Sequence, residues 1–298
     1  MVSMSEHVHQ QDHRSEARGG TPSGRSGTLG RDGLSMLEDA VRRDVIPRLV
    51  AMSWVGKSST AIDNHSTITD GTFRTLIALC LEPNSKGVTV FVTELHRSGV
   101  TAATIYEGLL APAARELGVM WENDTCSLAD VTIGVLRLQN AQRALASHPL
   151  DRAAPPLGAP RALLMPVPGE QHTFGLSIVL DYFVRAGWEA RLGPAGSRLE
   201  ALALIKRERT ELVGLSFACD DRIPDATALI TAIRHASRNP NLIIMVGGPP
   251  FMEDQDLASR IGADATATDG QQAVLRANEL LQVSDTRLSV APPSVGRM

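Results

Sequence analysis

ALLMPVPGEQHTFG, residues 162–175, decides the fold. It opens on an apolar run, ALLMPV (162–167), of strand length. Pro168-Gly169 breaks the run, and a helical pattern follows from about Phe174 to Ala186. The alternation then recurs: WEARL (188–192), a helix around 197–208, LVGLSF (212–217) and a helix from Pro224 to Ala236. After these come LIIMVGG (242–248), a helix near 254–261, ATAT (265–268) and a helix from Gly270 to Leu281. Strands alternating with helices predict an α/β domain over 161–284 whose five strands form a doubly wound parallel sheet. In such a sheet ligands sit at the carboxyl ends of the strands, in the loops that follow. The remainder, 285–298, reads as a loose tail.

Upstream the texture is helical. Leu34, Leu37, Val41, Val45, Ile46 and Leu49 recur at spacings of three and four. Further helices are expected over Asp70–Leu81, stopping before Pro83, and over Val88–Ser98, ending at Gly99. Another begins after Thr101 and ends at Gly118, with Pro112 kinking it, and the last runs from Ser127 to about Ala146. Together these predict a helical bundle over 34–148. The stretch HPLDRAAPPLGAP (148–160) is a Pro-rich linker, placing the domain boundary at 149–160. Residues 1–33 carry four Arg against four Asp or Glu and few large apolar residues, so they are expected to be disordered. The tail histidines His7, His9 and His13 sit in this floppy segment without Cys partners and carry little weight as metal ligands.

The 298 residues suffice for two domains, and 43% hydrophobic with 21% charged residues is ordinary for a globular protein. No apolar run reaches the roughly 18 residues of a membrane span, and the N-terminus has no secretory apolar core. A net charge of −4 argues against broad attraction to nucleic acid or anionic membrane. Cys80, Cys126 and Cys219 form neither a disulfide framework nor a zinc pattern, so they read as reduced thiols of a cytoplasmic protein. Gly56-Lys57-Ser58 invites a phosphate-loop reading, but Ala51 stands where a Gly is needed and a helix precedes it, so a linker is expected. No helix-turn-helix or basic helix appears. Direct DNA contact is a minor possibility through Arg42, Arg43 and Arg48, which read rather as a solvated helix face.

The loop after the first strand holds Glu170 and His172, two apart, so that in extended backbone both side chains point the same way. A carboxylate beside an imidazole fixes its tautomer and raises its basicity, the usual support for a metal-binding His. Gly175 keeps the helix start bare for close approach of a ligand. Ser216, Gly247-Gly248 and Thr268-Asp269-Gly270 end or follow three other strands on the same edge. Each alone is a small residue, a turn or a helix start; together with the His loop they point to one shared ligand.

The pattern E-x-H-x-x-G … S … G-G … T-D resembles the cobalamin-binding Rossmann-like (flavodoxin-like) domain, usually D-x-H-x-x-G … S-x-L … G-G. A helical bundle ahead of it is similar to the cobalamin-binding unit of methionine synthase and of light-sensing B12 regulators. The resemblance implies that His172 takes the lower position on cobalt and that Glu170 hydrogen-bonds its other ring nitrogen. It also implies that Ser216 contacts the buried benzimidazole and that Gly247 and Gly248 leave room for the nucleotide tail. Three departures stand out: Glu170 replaces Asp, Ala218 replaces Leu, and Phe174-Gly175-Leu176-Ser177 differs from the I-G-K-N of methyl carriers. In the light-sensing relatives a Trp covers the upper corrin face, and Trp121, read here in a loop, is its counterpart. Asp130 and Val131 stand where those relatives have Glu-His, and Ser127 with Asp130 reads simply as a capping box.

The stretch from Leu109 to Thr132, taken with the E-x-H-x-x-G loop, most resembles the AerR/PpaA group of cobalamin-binding, light-responsive anti-repressors of photosynthesis genes. That resemblance implies a non-catalytic regulator acting on a transcription repressor of the PpsR/CrtJ type. The alternatives are a corrinoid methyl carrier of a methyltransferase system and a haem-binding sensor on the same fold.

Overall fold

The computed structural model describes residues 68–83, 86–147, 154–170, 173–254 and 256–290. The expected tail 1–33, the helix over 34–49, the Gly56-Lys57-Ser58 segment, Arg42, Arg43, Arg48, the first part of the linker and His172 lie outside these residues. All described residues belong to one unit, Ala40–Met298.

The helical region begins with α1 (Asp70–Leu81), whose first turn is capped by Thr69, its hydroxyl accepting from the Thr72 amide at 3.2 Å. It stops at Glu82, before Pro83, as the pre-proline restriction requires. Helix α2 (Gly87–Arg97) ends on Gly99 at φ 103°, a left-handed position that favours glycine. The next rod is interrupted where Pro112 predicts a kink. Helix α3 (Ala102–Ile105) leads into a π-helical turn, Tyr106–Leu110, and then α4 (Ala111–Glu122). Pro112 has no amide proton to return to Gly108, and the Ala111 amide bonds Tyr106 instead, so the widened turn absorbs the missing bond. The helix continues through Gly118, which is buried, rather than ending there. Helix α5 (Leu128–Ala146) starts on a full capping box of Ser127 and Asp130.

These helices bury Leu76, Val92, Ile105, Leu109, Leu117 and Leu138. The same core takes in Phe174 and Ile178, so packing continues from the helical region into the α/β half. Arg137 is buried in it. Its guanidinium donates to Cys80 O at 2.7 Å and to Pro83 O at 3.4 Å, satisfying carbonyls at and beyond the C-terminal end of α1.

The α/β half is a parallel sheet of five strands in the order β2-β1-β3-β4-β5. The strands are β1 (Arg161–Pro166), β2 (Glu189–Leu192), β3 (Leu212–Ser216), β4 (Ile243–Gly247) and β5 (Ala265–Thr266). The helices are α6 (Phe174–Arg185), α7 (Arg198–Arg207), α8 (Ile223–Ala236), α9 (Pro249–Glu253), α10 (Leu257–Arg260) and α11 (Gly270–Val290). Strands β1, β3 and β4 are nearly continuous apolar runs because helices cover both faces. Two sequence expectations change. The helix near 254–261 is replaced by two short ones, since Pro249-Pro250 starts a helix at once and extended Asp254 ends it. The last helix runs past Ser284 to Val290, where a loose tail was expected.

Register fixes the functional edge. Pro166 pairs with Ser216 and Ser216 with Gly247, so three strands end level. Met245 and Val246 pair with Ala265 and Thr266, which sets Thr268 just beyond that edge. The strand order reverses direction between β1 and β3, the place where doubly wound sheets hold ligands.

Candidate cofactor-binding site

A cavity of about 110 Å³ lies between one face of the sheet and the helices α6 and α11. Its position follows from the strand period of two. Leu212, Gly214 and Ser216 share one face of β3, and Met245 and Gly247 share that face of β4. Gly214, Ser216 and Gly247 are small, so a trench runs along the middle of the sheet. Its walls are Leu164, Leu176, Val179 and Phe183, and its mouth is polar, at Ser216, Thr268 and Asp269.

Of the residues singled out from the sequence, Gly175, Ser216, Gly247, Gly248 and Thr268 all line this one groove. The two adjacent glycines differ in role. A Cβ on Gly247 would meet nothing within 4 Å, so the bare backbone there leaves open space. A Cβ on Gly248 would lie 1.9 Å from the Phe217 carbonyl oxygen, and its φ is 117°, so the fold itself requires glycine. Ala218, the departure from Leu, also lines the groove and opens its wall. Thr268 donates its hydroxyl to Asp269 Oδ2 at 3.0 Å, while Asp269 Oδ1 accepts from the Gln272 amide at 2.7 Å and caps α11.

Glu170 and Trp121 are not among the residues that line the groove. Glu170 is 4% exposed, in the turn after β1, where its amide donates to Val167 O at 2.9 Å. That turn depends on Gly169 at φ 86°, over which the Arg222 guanidinium is packed. His172, the expected metal ligand, falls outside the described residues. Among the described residues no group of three or more His, Cys, Asp or Glu is arranged to hold a metal ion. Trp121 is not in a loop: it stands in the last turn of α4, half-buried against the helical core. Its expected loop placement is corrected because the helix passes Gly118.

Sequence reasoning missed Gly214. The signal was present, since a glycine inside a strand marks close approach by a ligand or another backbone. It missed as well the junction of Tyr106, Glu107, Asp181 and Tyr182 beside the groove, for which the sequence holds no local sign.

The groove tests whether the residues suit a cobalamin tail. A flat base needs a slot without side chains, apolar walls and polar groups at one end. Gly247, which faces open space, the four apolar wall residues, one of them Leu164 lying over Gly214, and Ser216 with Thr268 supply these. The strand order and this groove define a flavodoxin-like domain with a ligand slot at the carboxyl edge of its sheet. Residues 160–277 match the family described as the B12 binding domain, so the chain carries a B12-binding domain.

Among curated proteins, the chain is 28% identical over 158 residues to "Uncharacterized 20.5 kDa protein in bchF-crtJ intergenic region" of Rhodobacter capsulatus, covering 53% of this chain and 81% of that one. It is 26% identical over 198 residues to dimethylamine corrinoid protein 1 of Methanosarcina acetivorans, covering 66% and 91%. Among solved structures, the monomethylamine corrinoid protein of Methanosarcina barkeri superposes with a TM-score of 0.58 at 21% identity, over 70% of this chain and 98% of that one. That likeness is one of fold. No helix among the described residues is long and apolar enough to cross a membrane.

Proposed function

We propose that this chain is a cobalamin-binding regulator without catalytic activity, working in the cytoplasm on a transcription repressor of the PpsR/CrtJ type. The observation that carries the cofactor half is the groove: small residues Gly214, Ser216 and Gly247 between apolar walls, with open space at Gly247. In this reading Ser216, Gly247, Gly248 and Thr268 hold the nucleotide tail. His172 would hold cobalt through a ring nitrogen, with Glu170 orienting that ring and Gly175 keeping the helix start clear. When bound, the cofactor would supply a visible chromophore and an exchangeable ligand on cobalt. Trp121, on the helical region, would cover the bound cofactor.

The regulatory half is supported by the Rhodobacter relative, whose name places it between bchF and crtJ. Light or upper-ligand state would act by changing how the cofactor contacts the helical region, which shifts its packing only if the two states contact it differently. The test is an absorption spectrum of the chain loaded with hydroxo-, methyl- and adenosylcobalamin, before and after illumination, with repressor binding to its operator followed in parallel. A light- or ligand-dependent release of operator is expected. Binding that ignores cofactor state would contradict the reading. An unchanged spectrum in loaded His172→Ala would remove the assigned ligand, and a Soret band after expression would replace cobalamin by haem.

A second reading, a corrinoid methyl carrier, is favoured by the methanogen relative, which the chain matches over 91% of its length. Turnover of methylcobalamin on this chain with a corrinoid-dependent methyltransferase would establish it.

A further inference from the structure

Two adjacent residues of the π-helical turn, Tyr106 and Glu107, face two adjacent residues of α6, Asp181 and Tyr182. The pairs exchange hydrogen bonds crosswise. The Tyr106 hydroxyl donates to Asp181 Oδ2 at 2.8 Å, and the Tyr182 hydroxyl donates to Glu107 Oε1 at 2.6 Å. The two rings lie 6.1 Å apart, tilted by 60°. One clasp thus joins the helical region to the domain that carries the groove.

Its halves are unequal. Tyr106 and Asp181 are 1% and 4% exposed. Asp181 also accepts from Arg185, which reaches on to Leu145 O at 3.3 Å. Buried, charge-assisted and anchored at a third helix, this half is stiff. The other half borders the groove. The Tyr182 ring lies on Gly270, where a Cβ would come within 2.3 Å of its Cδ2, and Gly270 and Asp269 both line the groove. Glu107 is only half-buried and feels the Asp269 charge.

We propose that Tyr182 is a positioning residue that carries groove occupancy to the helical region: its ring rests on the groove wall at Gly270, its hydroxyl holds Glu107, and the Tyr106–Asp181–Arg185 half is the pivot. This rests on the reading of the groove as a cobalamin site. Filling the groove stiffens the Thr268–Gly270 wall, and a stiffer wall under Tyr182 steadies the π-helical turn.

The test is amide hydrogen exchange of the full chain, free and loaded with hydroxocobalamin, read over 102–122. In the unaltered chain, loading is expected to slow exchange at 106–111 by about fivefold, the scale of one hydrogen bond. Tyr182→Phe and Glu107→Ala should load equally, by visible absorbance, and lose that response. Glu107→Gln keeps an acceptor and should retain it. Glu107→Ala, at a half-exposed position, serves should Tyr182→Phe fail to fold. A variant of either residue that loads and keeps the full response overturns the proposal. So does a variant that no longer loads, because it puts the residue in the groove itself. An unaltered chain that loads without change at 106–111 overturns the proposal and leaves the site reading standing; one that does not load overturns both.

Discussion

The groove and the clasp beside it are built in opposite ways. The groove exists because side chains are missing: Gly247 faces open space, and Gly214 lets Leu164 lie down against the sheet as a wall beside Val179 and Phe183. The clasp exists because four large side chains reach across and satisfy one another. The first can be destroyed by adding atoms and the second by removing them. Binding and coupling are therefore separable by mutation, although Gly270 touches both.

The sharpest contrast lies between neighbouring glycines. Gly248→Ala drives a Cβ into the Phe217 carbonyl at a left-handed φ and is expected to cost about 4 kcal/mol or more, abolishing a cooperative melt. Gly247→Ala meets only open space and should change stability by less than about 1 kcal/mol. Equal melting temperatures for the two would break the distinction between glycine kept for the fold and glycine kept for the ligand.

On the clasp side, Tyr106→Phe removes the buried donor to Asp181 and leaves Arg185 as its partner. A loss of about 1–3 kcal/mol in denaturant unfolding is expected. The smallest effect belongs to Glu107. Burial raises its carboxyl above the ordinary range; the Tyr182 hydrogen bond opposes this and Asp269 adds to it. The folded chain thus keeps this proton to higher pH than the unfolded chain, and stability falls as pH rises from the ordinary carboxylate range through the raised value. Glu107→Gln should flatten the dependence of Tm on pH in that window, and an unchanged slope would show that Glu107 does not titrate as its surroundings dictate.

The groove was largely legible in sequence because it rests on local signals. Strand period, Pro-Gly breaks and paired glycines after a strand put Gly175, Ser216, Gly247 and Thr268 on one edge, and parallel register then brought them together. Helix ends were legible wherever a cap or proline acts locally, as at Thr69, Pro83, Gly99 and Ser127. The clasp was not, because its partners are 75 residues apart and Asp181 sits in a helix that otherwise reads as apolar. Trp121 misled for a related reason: Gly118 reads as a helix end, but it is buried and α4 continues past it, a choice that only tertiary packing makes.

The central claim is that the trench along β3 and β4 takes the nucleotide arm of the cofactor. Its most direct measurement is a paired titration of the full chain with cobalamin and with cobinamide, which lacks that arm, followed by visible absorption. The account predicts cobalamin to bind at least ~100-fold more tightly, about 2.7 kcal/mol, and Gly247→Leu to erase that preference. Equal affinity for the two corrinoids would contradict it.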